Sequence, residues 1–159
     1  MSLLLKLLKQ YDNVLDTLLP YLQSLLSISG RFYVSWVFFS SGLTKIADWE
    51  STLFLFEYEY SVPLLPITLA ALLATVGELV LPVLLTLGVA ARVSAVGLFI
   101  VNIVAVISLE DLAPAALAAH VIWGLILLHI SVWGAGKITG DYLIIRRILR
   151  KKQAQLSAV

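Results

Sequence analysis

"RFYVSWVFFSSGLTK", residues 31 to 45, is an apolar, aromatic run opened by Arg31 and closed by Lys45. Whether Arg31 anchors the chain at a membrane surface or lies inside the bilayer decides how every other segment packs. The whole chain supplies the setting. Of 159 residues, 60% are hydrophobic and only 13% charged, with a mean hydropathy of +0.98. Soluble domains carry about 25% charged residues, so this is a membrane protein. At about 20 residues per span the length accommodates roughly four helices and short connections, with no separate soluble domain.

Four segments read as spans: 22–46, 64–87, 93–109 and 112–133. Gly88 and Arg92 mark the turn between the second and third. "EDLAP", residues 110 to 114, marks the turn between the third and fourth, with Pro114 suited to a first helical turn. Residues 1–21 have apolar positions at helical spacing (Leu4, Leu8, Tyr11, Leu15, Leu18), which suggests an interfacial amphipathic helix leading into span one. Lys6, Lys9, Asp12 and Asp16 interrupt it too early for a secretory signal. The outer stretch "ADWESTLFLFEYEYSVPLLP" mixes Trp49, Phe54, Phe56, Tyr58 and Tyr60 with acids, a composition for a loop capping the bundle at the headgroup layer. Residues 134–159 form a basic tail whose "RRILRKK" suits anionic lipid. The predicted fold is a single all-α domain, an integral four-helix transmembrane bundle.

Cations set its orientation. Lys6, Lys9, Arg92, Lys137, Arg146, Arg147, Arg150, Lys151 and Lys152 fall on one side, while Lys45 stands among acids on the other. Cations are retained in the cytoplasm, so both termini are expected inside. These basic residues read as a lipid contact, and no nucleic-acid partner is expected.

The absence of cysteine excludes thiol–disulfide exchange, iron–sulfur clusters and thiolate metal sites. One methionine excludes a Met-rich copper site. His129, nine residues after His120, lies about half a turn from its face, which argues against a bis-His haem within one chain. No metal and no covalent cofactor are expected.

Polar residues inside the spans carry the functional reading. If span one begins near Leu22, Arg31 lies roughly 13 Å deep; Glu78, ten residues before Gly88, lies roughly 15 Å from the same surface. Each charge alone costs ~3 kcal/mol at a span centre, so the matching depths predict an Arg31–Glu78 pair. If the span instead starts near Ile28, Arg31 can snorkel to the surface. Arg31, Ser35, Phe38, Gly42 and Lys45 share one helical face; Ala71, Ala74 and Glu78 share another; His120 and Gly124 share a third. Asn102 lies mid-span. Turned inward, these faces enclose Arg31, Glu78, Asn102 and His120 in one polar centre of ligand-binding or proton-transfer candidates. Lys45 reads as a helix-end anchor.

The succession "SGLTKIADWE", "FEYEYSVPLLP", "GELVLPVLLTLGVAARVSAVGL", "HVIWGLILL" and "GAGKITGD" resembles the DoxX family of small bacterial inner-membrane proteins. The family's motif positions fall on Arg31, Gly42, Lys45, Glu78, Gly88, Arg92, His120 and Asp141, with Ala135 where Pro is usual and Thr139 where Ser is usual. The resemblance implies a membrane protein linked to redox or stress functions, with redox-enzyme subunits as partners, and it leaves homo-oligomers open. It implies no fixed reaction and does not make the chain an enzyme on its own. A quinone is the exchangeable cofactor that the polar centre suits: Arg31 or His120 as donor, Glu78 in proton transfer. A carrier for a small molecule or ion, using the same residues, is the alternative.

Overall fold

The computed structural model describes residues 3–109, 111–134, 136, 139–141 and 147–148. These fold into five helices: α1 (Leu3–Ala47), α2 (Trp49–Tyr58), α3 (Ile67–Leu87), α4 (Ala91–Ser108) and α5 (Pro114–Trp133). Most of the basic tail, with Lys137, Arg146, Arg150, Lys151 and Lys152, lies outside the described residues, as do Glu110 and Ala135.

Helices α3, α4 and α5 are long and apolar enough to cross a membrane. The second half of α1 is more polar, because Arg31, Ser35, Ser40, Ser41 and Tyr33 interrupt it. It nevertheless packs along α3 and α5, while α3 packs on α4 and α4 on α5. The core between them consists of Val34, Phe38, Leu85, Ala91, Ala95, Leu98, Leu127 and Ile130.

Small residues set the helix spacing. A Cβ at Gly42 would come within 2.9 Å of Leu79, and one at Gly97 within 2.7 Å of Leu81. A Cβ at Gly77 would meet Val101 at 3.3 Å. Glycine at these positions lets helices approach more closely than side chains permit. The last two contacts also set the antiparallel register of α3 and α4, with 81 opposite 97 and 77 opposite 101.

Two expectations are corrected here. The interfacial segment and span one are not separate elements: α1 is one helix of 45 residues that continues through Pro20. From Leu4 to Leu26 its side chains are exposed apart from half-buried Leu15 and Ser24, and Ser27 is the first buried residue. The aromatic stretch is likewise not a loop but largely the helix α2. Asp48 caps it: its carboxylate accepts from the Ser51 backbone N–H at 2.9 Å and from the Ser51 hydroxyl at 2.6 Å. Those hydrogen bonds hold the Asp48 carboxyl below the usual range. Phe56 then buries against Ala70 and Ala71 of α3, and stacks on Tyr60 at 4.9 Å.

Candidate functional site

Glu78 projects from α3 at the level of Gly42, where an added Cβ would come within 3.1 Å of its own. It does not meet Arg31. Lys45, one turn beyond Gly42, donates from Nζ to Glu78 Oε2 at 2.7 Å and to Ser41 Oγ at 2.9 Å. Lys45 is therefore a partner inside the bundle rather than a helix-end anchor. Its side chain is 17% exposed and that of Glu78 9%, so both charges are largely withdrawn from solvent and depend on each other.

Arg31 lies at the opposite end of the bundle. Eleven residues separate it from Gly42, or roughly 16 Å along α1. Its Nη1 sits 3.0 Å from where a Gly88 Cβ would be. The depth match failed because it set Leu22 level with Gly88, whereas Arg31 itself, nine residues further along α1, lies beside Gly88. Arg31, buried to 3% exposure, thus stands level with the α3–α4 turn.

That turn gathers several of the motif positions. Gly88 ends α3 with φ +67°, its N–H and that of Val89 closing back on Leu85 and Leu84, a Schellman arrangement. Asp141 then caps α4 from outside: Oδ1 accepts from Ala90 N–H at 2.8 Å and Oδ2 from Ala91 N–H at 3.1 Å. A carboxylate satisfies two free donors there and complements the positive helix end. The Arg92 guanidinium packs over Gly134. Gly88, Arg92 and Asp141 thus lie at this end of the bundle, with Arg31 and Thr139 beside Gly88.

The other end holds a cavity of ≈ 430 Å³ lined by Lys45, Glu78, Tyr60, Ser41, Ser108 and His120 together with apolar and aromatic walls. Phe38, Trp123 and His120 form one wall, the ring pairs meeting edge to face at 6.1 and 4.8 Å. Trp123 Nε1 donates to the Tyr33 hydroxyl at 3.2 Å, tying α5 to α1. Asn102 does not line the cavity but holds His120: its Nδ2 donates to the His120 carbonyl at 3.0 Å, and its Oδ1 lies 2.8 Å from His120 Nδ1. An amide oxygen accepts only, so His120 Nδ1 is the donor to Asn102 and Nε2 is left for other contacts. Tyr60, outside the spans, has its hydroxyl acidity suppressed by burial, with Glu78 and Glu59 adding to the effect. It stays a neutral donor.

Of the four residues expected in one polar centre, the fold brings together Glu78, His120 and, through His120, Asn102. It excludes Arg31 and adds Lys45, Tyr60, Ser41 and Ser108. The signal for Lys45 lay in its sharing the inward face of α1; Tyr60 and Ser108 had none beyond their neighbourhood in sequence. His129 stacks on Trp133 at 5.0 Å and borders a different recess. Among the described residues no group of three or more His, Cys, Asp or Glu could hold a metal.

Apolar helices packed around a partly enclosed amphipathic cavity define a helical multi-pass membrane protein. The family model DoxX matches residues 26–111, more than half of the chain. The chain belongs to the DoxX family. No curated protein and no solved structure matches it.

Proposed function

We propose that the chain is a four-span protein of the bacterial inner membrane whose cavity takes the head group of a membrane quinone. In this reading it is a quinone-contacting or scaffolding subunit of a redox or oxidative-stress assembly, held in place by partner subunits and lipid. The cavity carries the reading. Its volume falls in the range of small-molecule sites, ~300–1,000 Å³, and its walls are mostly apolar with few polar groups. Lys45 and Tyr60 supply donors for a carbonyl oxygen, Glu78 a proton acceptor, and His120 Nε2 a second acceptor for a reduced, hydroxyl-bearing ring. Donation falls to Lys45 rather than Arg31, which lies elsewhere. The second half of α1, by packing on α3 and α5, supplies the fourth span.

Trp123 in the cavity wall gives a direct readout. Decylubiquinone added to the detergent-purified protein is expected to quench tryptophan fluorescence saturably, with most of the effect lost in Trp123→Phe. Lys45→Met is expected to weaken binding about tenfold, the scale of a hydrogen bond from a charged donor. Quenching no greater than in a detergent control, with no quinone in solvent extracts, would rule the reading out. Ion or solute flux through proteoliposomes under the same conditions would favour the carrier alternative.

Orientation has its own check. With Lys6, Lys9 and the tail cations retained inside, a reporter after Val159 is expected to be active only in the cytoplasm, and one near Thr52 only outside. A periplasmic C-terminus would invert the assignment of every span.

A further inference from the structure

We infer that the N-terminal half of α1 is a self-association surface: residues 4 to 25 of one copy of the chain pair with the same residues of another copy as a parallel coiled coil outside the bilayer. The inference rests on the four-span placement and is independent of what fills the cavity.

α1 is one helix from Leu3 to Ala47, and Arg31 stands level with the turn at Gly88 that closes the bundle. Roughly 40 Å of helix therefore extends past that level. From Leu4 to Leu26 no side chain is buried. Positions 4, 8, 11, 15, 18, 22 and 25 hold Tyr11 and six leucines, at spacings that alternate between four and three. This is a heptad repeat kept over three heptads, and its two apolar positions, a and d, are those that form the seam of a coiled coil. All seven are more than half exposed except Leu15, which is half-buried. The polar residues keep to the opposite positions b, c and f, Lys6, Lys9, Asn13, Asp16 and Gln23 among them; only Asp12 stands beside the seam.

Either the bilayer surface or another copy covers such a face. To lie on the bilayer, the segment has to turn through about a right angle against the span. A turn of that size interrupts the helical hydrogen-bond ladder, yet α1 is helical throughout, with Pro20 its only proline. Residues 21 to 27 thus leave the bundle along the line of the span, which carries the apolar stripe into water. Other copies meet it there. In one membrane, α3, α4 and α5 give every copy the same depth and direction, so each residue of one α1 stands level with the same residue of the next. That is the parallel, in-register alignment that a heptad seam requires. Charges at b, c and f then point away from the partner, and like charges do not oppose each other across the seam. Burying the seven side chains on each of two copies removes on the order of 1,200 Å² of apolar surface, which reaches the range of stable interfaces.

The chain has no cysteine, so single cysteines report contacts between copies without background. In native membranes under mild oxidation, Leu18→Cys and Leu25→Cys are expected to form disulfide-linked dimers, because equivalent seam positions face each other within disulfide reach. Asn13→Cys and Gln23→Cys, on the outer side, are expected to stay monomeric. Tyr11→Asp with Leu22→Asp is expected to abolish the Leu18→Cys cross-link while leaving the melting temperature in detergent and the quenching by decylubiquinone unchanged. Monomeric Leu18→Cys and Leu25→Cys, or equal cross-linking on both sides of the helix, would overturn the inference. So would a melting temperature lowered by the two aspartates, which would make the stripe part of the packing within one chain. A nitroxide at position 18 completes the test: dipolar broadening is expected from paired copies, whereas free collision with lipid-dissolved oxygen and no broadening would place the helix on the bilayer instead. Each of these failures leaves the quinone reading standing.

Discussion

Glu78→Leu and Lys45→Leu are each expected to lower stability by about 3–5 kcal/mol, and the double variant to regain most of the loss. The expectation follows from the 2.7 Å contact between two side chains that are largely withdrawn from solvent. Removing either partner strands the other charge among Val37, Phe38, Ala74 and Val101 on the cavity wall, where an uncompensated ion is costly. Removing both leaves an apolar pair in an apolar setting. Unfolding in mixed micelles, carried out as a double-mutant cycle, reads the coupling directly. Arg31→Leu provides the contrast: roughly 16 Å from the level of Glu78, it is expected to show no coupling to Glu78→Leu, since effects at sites beyond about 10 Å add. Additive losses for Lys45 and Glu78 would mean that the pair is not a unit.

Gly88→Ala is expected to be about as damaging, for different reasons. The residue sits at φ +67°, a conformation that costs an alanine about 1–2 kcal/mol. The added methyl would also lie 2.8 Å from Thr139 Cβ, 3.0 Å from the Thr139 backbone and 3.0 Å from Arg31 Nη1. Overpacking of this kind adds about 1–3 kcal/mol, for a total of roughly 2–5. Gly88→Asn separates the contributions, because asparagine accepts the left-handed region but keeps the clash. A loss in Gly88→Asn close to that in Gly88→Ala assigns the damage to packing; a near-neutral Asn variant would show that Thr139 and Arg31 move aside.

The helices were largely legible because apolar runs of about 20 residues leave a chain few alternatives. Gly88 and Pro114 marked boundaries by local stereochemistry, and α3 ends and α5 begins at them. What misled was depth. Nothing local shows which residue of α1 stands level with Gly88, and setting Leu22 there instead of Arg31 misplaces Arg31 by roughly 14 Å and gives Glu78 a different partner. The aromatic stretch misled for a similar reason: acids and rings suit a headgroup loop, but Asp48 with Ser51 three residues on is also a helix start.

The cap on α4 is supplied by a residue about fifty positions later in the chain. At roughly 5–20 residues per second on the ribosome, the first turn of α4 waits several seconds for its carboxylate. By the close of that interval α3, α4 and α5 have been made, while the end of the bundle at Gly88 is still open. Closure by Asp141 comes only after α5 has been made, so a truncated chain lacking it is left with the α3–α4 corner unfinished, however complete its apolar helices.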